Sequence, residues 1–207
     1  MLLLWAVIWL LILAFVVNKD LIKNEITSRN LAEKLEISES ELIAGGNRMI
    51  DYVKGKGDLE ITVVRRGVRV SFFGISEKEH LKDVRNVVKG FNIAAVISLA
   101  VAVIIITLLI LKGHKNAVSR GVGVGTFILL FLIVGIGIYA TLRTSDFVYY
   151  FHEVLFAGKN YVFNPYESFM VNFFAPSLYK AAAIRVIVIC GISVIICEGG
   201  LYFLLKQ

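Results

Sequence analysis

Residues 91–111 contain no charged side chain. A helix rises about 1.5 Å per residue, so about 20 apolar residues span a hydrocarbon core roughly 30 Å thick. Residues 1–17, 121–142 and 181–205 form comparable runs, the last interrupted by Arg185 and Glu198. The chain is 57% apolar and 18% charged, against about half and about a quarter in a soluble domain. That excess is gathered into the runs, which is the pattern of membrane spans and not of one oversized core. The expected fold is integral membrane α-helical, with four transmembrane helices and a small α+β extracytoplasmic domain containing a β-hairpin.

For residues 1–17 a cleaved signal peptide competes with a retained anchor. A signal peptide needs a basic start and a small-x-small cleavage site. Met1 to Trp5 carries no charged side chain and Phe15-Val16-Val17 offers no such site, so an anchor is expected. Residues 112–120 form a short loop with Lys112, Lys115 and Arg120 and no acid, which places it in the cytoplasm. Both termini then lie inside, while residues 18–90 and 143–180 lie outside.

The formal net charge of +6 does not indicate nucleic acid, because the cations are scattered among acids without a basic stripe. Gly121-Val-Gly-Val-Gly125 is not a phosphate loop: it starts a span, follows no strand and lacks the Lys-Ser/Thr pair. Gly121 and Gly125 instead suit close helix packing. Cys190 and Cys197 share an apolar run on one helical face and read as packing residues.

In the first outer segment, Ser38-Glu-Ser-Glu41 reads as a capping box, with a helix continuing to about Tyr52. Lys54-Gly-Lys-Gly57 ends it. Leu59 to Val63 and Val68 to Phe72 alternate in polarity around Arg65-Arg66-Gly67, the pattern of a hairpin with one buried face. Ser76-Glu-Lys-Glu79 reads as a second capping box, opening the helix that leads into residues 91–111. The second outer segment is aromatic throughout. Its rings suit an interfacial belt at headgroup depth, or a floor for acyl chains on which Tyr149, Phe151 and Tyr161 are contact candidates.

His114 sits in the basic loop and reads as solvated. His80 lies eleven residues before residue 91, and His152 ten residues after residue 142. If the flanking helices continue, both imidazoles reach one level on the same side of the membrane. Two readings stand: an acid and base near neutral pH, or two interfacial polar residues. His152-Glu-Val-Leu-Phe156 has Phe where a zincin needs its second histidine, and no metal site is expected. Arg185 either snorkels to a phosphate or serves the chemistry, and Glu198 on the inner half reads as a packing or inner-face residue. No nucleotide site is present in the sequence.

Ile37-Ser-Glu-Ser-Glu-Leu42, Met49-Ile-Asp-Tyr-Val-Lys-Gly55, Glu79-His-Leu-Lys-Asp-Val84, Phe151-His-Glu-Val-Leu-Phe156 and Asn160-Tyr-Val-Phe-Asn-Pro165 follow one another along the chain. In this order the sequence resembles the lipoprotein intramolecular transacylases of Gram-positive bacteria, over essentially its whole length. It departs from the family pattern at Tyr161, Asn164 and Ala175, which concern loop packing. The resemblance implies an acyltransferase of the bacterial cell membrane, active on the extracytoplasmic side. It would move the sn-2 acyl chain of a diacylated lipoprotein to the α-amine of its N-terminal cysteine, giving the lyso form. His80 and His152 would be the active-site pair, with Asp83 orienting His80 and Arg185 as an accessory. The implied partners are the lipoprotein and membrane lipid, without cofactor, nucleotide or nucleic acid. Two other classes stay open: a non-enzymatic envelope sensor or assembly factor, and a transporter, for which no inverted repeat is evident.

Overall fold

The computed structural model describes residues 19–156 and 163–206, together with residues 2, 3, 5, 6, 8 and 9, which are helical. The elements in chain order are α1 (Lys19–Ser28), α2 (Leu31–Leu35), α3 (Glu39–Val53), β1 (Thr62–Arg65), β2 (Val68–Ser71), α4 (Ile75–Leu111), α5 (Lys115–Leu142), α6 (Thr144–Leu155), α7 (Phe169–Phe173) and α8 (Pro176–Lys206). They fall into two units: Met1–Val16, Gly90–Leu142 and Ala183–Gln207 in one, Val17–Lys89 and Arg143–Ala182 in the other.

The first unit is helical and apolar. Among the described residues three helices are long and apolar enough to cross a membrane: Ile75–Leu111, Lys115–Leu142 and Ser177–Ile196. Their large side chains face outward, with Phe127 and Phe131 each 72% exposed. Such a wall of hydrocarbon suits lipid as solvent. Small and hydroxyl-bearing residues occupy buried positions, among them Ala95, Ala102, Gly125, Thr126 and Ser193, as close packing in lipid favours. Gly121, by contrast, has no neighbour within 4 Å of a Cβ placed on it. Of the expected glycine pair only Gly125 is buried.

The turn between α4 and α5 is Lys112-Gly113-His114, in which Gly113 takes a positive φ of 79°. The expected basic loop of residues 112–120 is therefore mostly helix, because nothing after Gly113 breaks one. In the first run, the Trp5 and Trp9 rings lie 6.5 and 4.8 Å from Phe91. The Trp9 indole N–H donates to Asn92 Oδ1 at 2.9 Å, which satisfies a polar side chain at the edge of an apolar stretch. Cys190 is buried and free; the side chains of Cys197 and Glu198 lie outside those described.

The second unit has a mixed α+β core. In α3 the buried Leu42, Met49, Ile50 and Val53 recur at helical spacing, and in α1 Leu21, Ile22 and Ile26 do the same. α1 and α2 were not expected from the sequence. Ser38 caps α3 by accepting the Glu41 N–H at 3.3 Å. Glu41 in turn accepts from the backbone N–H of Ser38, as the expected box requires. Its carboxylate accepts the Ser38 hydroxyl at 2.6 Å and the Val64 N–H at 2.9 Å, so it joins the helix to β1.

β1 and β2 pair antiparallel, Thr62 opposite Ser71 and Arg65 opposite Val68. The loop is two residues, Arg66 and Gly67, with φ of 52° and 76°, which matches the twist of a hairpin. Val63 is 1% exposed and Val64 44%, so one face is buried as its alternation requires. Phe72 follows the hairpin and its ring lies against α3: a Cβ added to Gly45 would fall 2.2 Å from it. Phe169 and Phe173 join the same cluster, their ring centroids 5.1 and 6.1 Å from Phe72. These two rings, from the aromatic stretch of residues 143–180, are core, neither belt nor floor.

Candidate active site

α4 opens with Gly74 as its cap, not Ser76. The Glu77 carboxylate accepts the Gly74 N–H at 2.6 Å, while Ser76 and Glu79, the expected box, are exposed. A buried Glu77 needs donors and the backbone of Gly74 supplies one. From there Glu77, His80 and Leu81 form one buried stripe along the helix, 4%, 7% and 3% exposed.

The other histidine comes from α6, a helix within the stretch expected as an aromatic loop. Arg143 precedes it and donates to Asp146 at 2.9 Å across the first turn. In the last turn, His152 Nδ1–H donates to the Val148 carbonyl at 2.8 Å. A carbonyl only accepts, so Nδ1 carries a proton and Nε2 is the nitrogen left for chemistry.

The two rings meet. Their centroids are 5.5 Å apart and their planes differ by 21°. Phe156, four residues after His152 and so on its face, touches both rings at 5.0 and 5.4 Å. Phe163 closes on His80 at 5.7 Å. Burial among these rings pushes the His80 pKa down from 6.5 to about 4, and the nearby His152 adds to the fall. Asp83, half-buried one turn on, opposes the shift with its negative charge. His80 is thus held neutral at physiological pH, a state suited to accepting a proton.

The remaining sequence candidates are dispersed. Phe151 lies 6.0 Å from His152, edge to face, and is 47% exposed. Tyr149 is 61% exposed and turns towards Tyr150. Tyr161 lies outside the described residues. Arg185 stands half-exposed on α8 within the first unit. Among the described residues no three His, Cys, Asp or Glu side chains gather as metal ligands would. Phe156 and Phe163 stand in the motif stretches of the sequence but were not expected at the site, although the four-residue spacing from His152 was a usable signal for the first.

Two histidines brought face to face from distant stretches invite comparison with known proteins. A family model described as lipoprotein intramolecular transacylase Lit matches residues 1–179. The chain belongs to the Lit family. A search of curated protein sequences gives no match. Among solved structures, the membrane integral lipoprotein intramolecular transacylase Lit from Bacillus cereus has a TM-score of 0.79 and 17% identity. That match covers 99% of this chain and 91% of the other. A structure of the Bacillus cereus protein with a histidine replaced by alanine matches at 0.75 and 16% identity, covering 99% and 89%. At such identities the likeness is one of fold. Membership in the Lit family, with three spanning helices, makes this protein a multi-pass membrane transferase whose substrate is a lipoprotein.

Proposed function

We propose that this protein moves the sn-2 acyl chain of a diacylglyceryl lipoprotein onto the α-amine of its N-terminal cysteine, with His80 and His152 as the acid and base. The observation that carries this is the pair of stacked imidazoles, 5.5 Å apart, in a chain of the Lit family. The amine attacks the ester carbonyl, a C–N bond forms, and the C–O bond to glycerol breaks. His80, held neutral by burial, takes the proton leaving the nitrogen. His152, entering the step protonated, gives its Nε2 proton to the glycerol oxygen while Nδ1 stays committed to Val148, and the proton held by His80 then restores it.

An ester becoming an amide runs downhill, so neither nucleotide nor metal is required to drive the step. Amine and ester belong to one molecule, and holding them together can supply roughly 7–11 kcal/mol of the barrier. Each positioned proton transfer adds roughly 10²–10⁴-fold. Asp83 steadies the His80 end through its charge. Phe151 and Tyr149, exposed on α6, suit contact with acyl chains, and Arg185 serves as an accessory cation.

In the membrane, residues 1–17 act as a fourth span, an assignment supported by the helical residues there and by the Trp9–Asn92 hydrogen bond. Both termini are then cytoplasmic. Residues 18–90 and 143–180, and with them the histidines, face outward. The test is direct: purified protein is incubated with a diacylated lipoprotein and the product read by mass spectrometry. N-acyl, S-monoacylglyceryl cysteine is expected from the wild type and not from His80→Ala or His152→Ala. A free α-amine after incubation with wild type would end the proposal.

A further inference from the structure

Beside His80, α4 carries a buried acid whose second oxygen does no work for the helix. Glu77 is one turn before His80 and on the same face. One carboxylate oxygen accepts the Gly74 N–H and completes the cap; the other accepts the hydroxyl of Ser168, from the segment that bears His152. Ser168 is 6% exposed, and its oxygen also accepts the Val171 N–H that opens α7, at 3.1 Å. The Ser168 carbonyl accepts from buried Asn172 at 2.8 Å, and the Asn172 carbonyl accepts from Arg29 on α1 at 2.7 Å.

An exposed carboxylate would cap α4 equally well. Burying one costs desolvation that the cap alone does not offset. The added return is the bond to Ser168, a charge-assisted contact between two segments far apart in sequence. Phe163, five residues before Ser168, packs on His80. The segment thus grips the same face of α4 at two successive turns, by a ring on the histidine and by a hydroxyl on the acid.

We propose that Glu77, acting through Ser168, is a positioning residue that holds His80 in register with the segment bearing His152. The proposal rests on the reading of the two histidines as acid and base. Ser168→Ala keeps the cap at Gly74 and removes only the junction. Two quantities are measured on it and on wild type in detergent micelles: the His80 titration midpoint by nitrogen-15 NMR, and kcat and KM for a diacylated lipoprotein. The groups facing His80 are His152 from α6 and Asp83 on its own helix.

The midpoint in Ser168→Ala is expected to rise by about one unit as water reaches the ring. The corresponding fall in kcat is roughly 10- to 100-fold with KM within about two-fold, and Ser168→Thr restores both quantities. A purely structural bond would lower thermal stability and leave the midpoint in place. An unmoved His80 midpoint therefore overturns the proposal whatever the turnover. A midpoint that moves, in a protein whose wild type shows no conversion, upholds the positioning role and removes the transacylase chemistry. If Ser168→Ala does not fold, Ser168→Cys takes its place: the cap at Gly74 is untouched, while the thiol is only a weak donor to Glu77.

Discussion

His80 and His152 lie with their rings nearly parallel and 5.5 Å apart, one buried and the other half-buried. Each owes its setting to a different helix, and Phe156 touches both.

Replacing His152 by Asn keeps a donor within reach of the Val148 carbonyl but removes the reactive Nε2. Conversion of a diacylated lipoprotein is expected to slow by roughly 10²–10⁴-fold, with the protein still folded. Half of the wild-type rate in that variant would remove Nε2 from the chemistry.

The pH dependence of stability carries a sign set by His80. Its pKa in the folded protein is about 4, against 6.5 ordinarily. Above 6.5 the ring is neutral whether the chain is folded or not, so its contribution is flat. Between 6.5 and 4 only the unfolded chain takes up the proton, and stability falls as pH falls; below 4 it levels off. Thermal melts in detergent should show this acid-side loss in the wild type and a smaller one in His80→Gln.

Phe156 is 7% exposed and covers both imidazoles. Phe156→Ala opens a cavity at a cost of about 3 kcal/mol and admits water to His80. Its pKa should climb towards 6.5 in the same variant, while Phe156→Leu does less on both counts. An NMR titration of the histidines beside a thermal melt checks the pair of effects.

Gly45 leaves room for the Phe72 ring, and an added methyl would fall 2.2 Å from it. Phe72 is 1% exposed among Phe73, Phe169 and Phe173 and has nowhere to retreat. Gly45→Ala should cost about 1–3 kcal/mol, seen as a lower midpoint of thermal unfolding with no direct effect on the histidines.

What the sequence revealed depended on how strong each local signal was. The spans of residues 91–111 and 121–142 were legible because charge is absent over the whole length a bilayer demands. The hairpin was legible through its period of two, although the turn is tighter than expected: Arg66 itself adopts the left-handed region. α1 was not legible, because Lys19, Asp20, Lys23, Asn24 and Glu25 mask three apolar positions. The first capping box was right, and the second was displaced by two residues, to Gly74 and Glu77. Glu41 and Glu77 each turn an oxygen to a partner distant in the chain, Val64 or Ser168, and no local pattern encodes such a contact. The aromatic stretch misled because composition does not separate Phe169 and Phe173, both buried, from Tyr149 and Tyr166, both exposed. His80 and His152 were paired by counting along two helices, which located a level. The packing of Phe156 and Phe163 supplied the rest.

The hydrogen bond from His152 to Val148 ends on a main-chain oxygen. No exchange of the side chain at that position deletes the acceptor, so mutational drift there leaves the ring's orientation unharmed. Which nitrogen the ring leaves open is thus written into the backbone of α6, where selection on individual residues has little purchase.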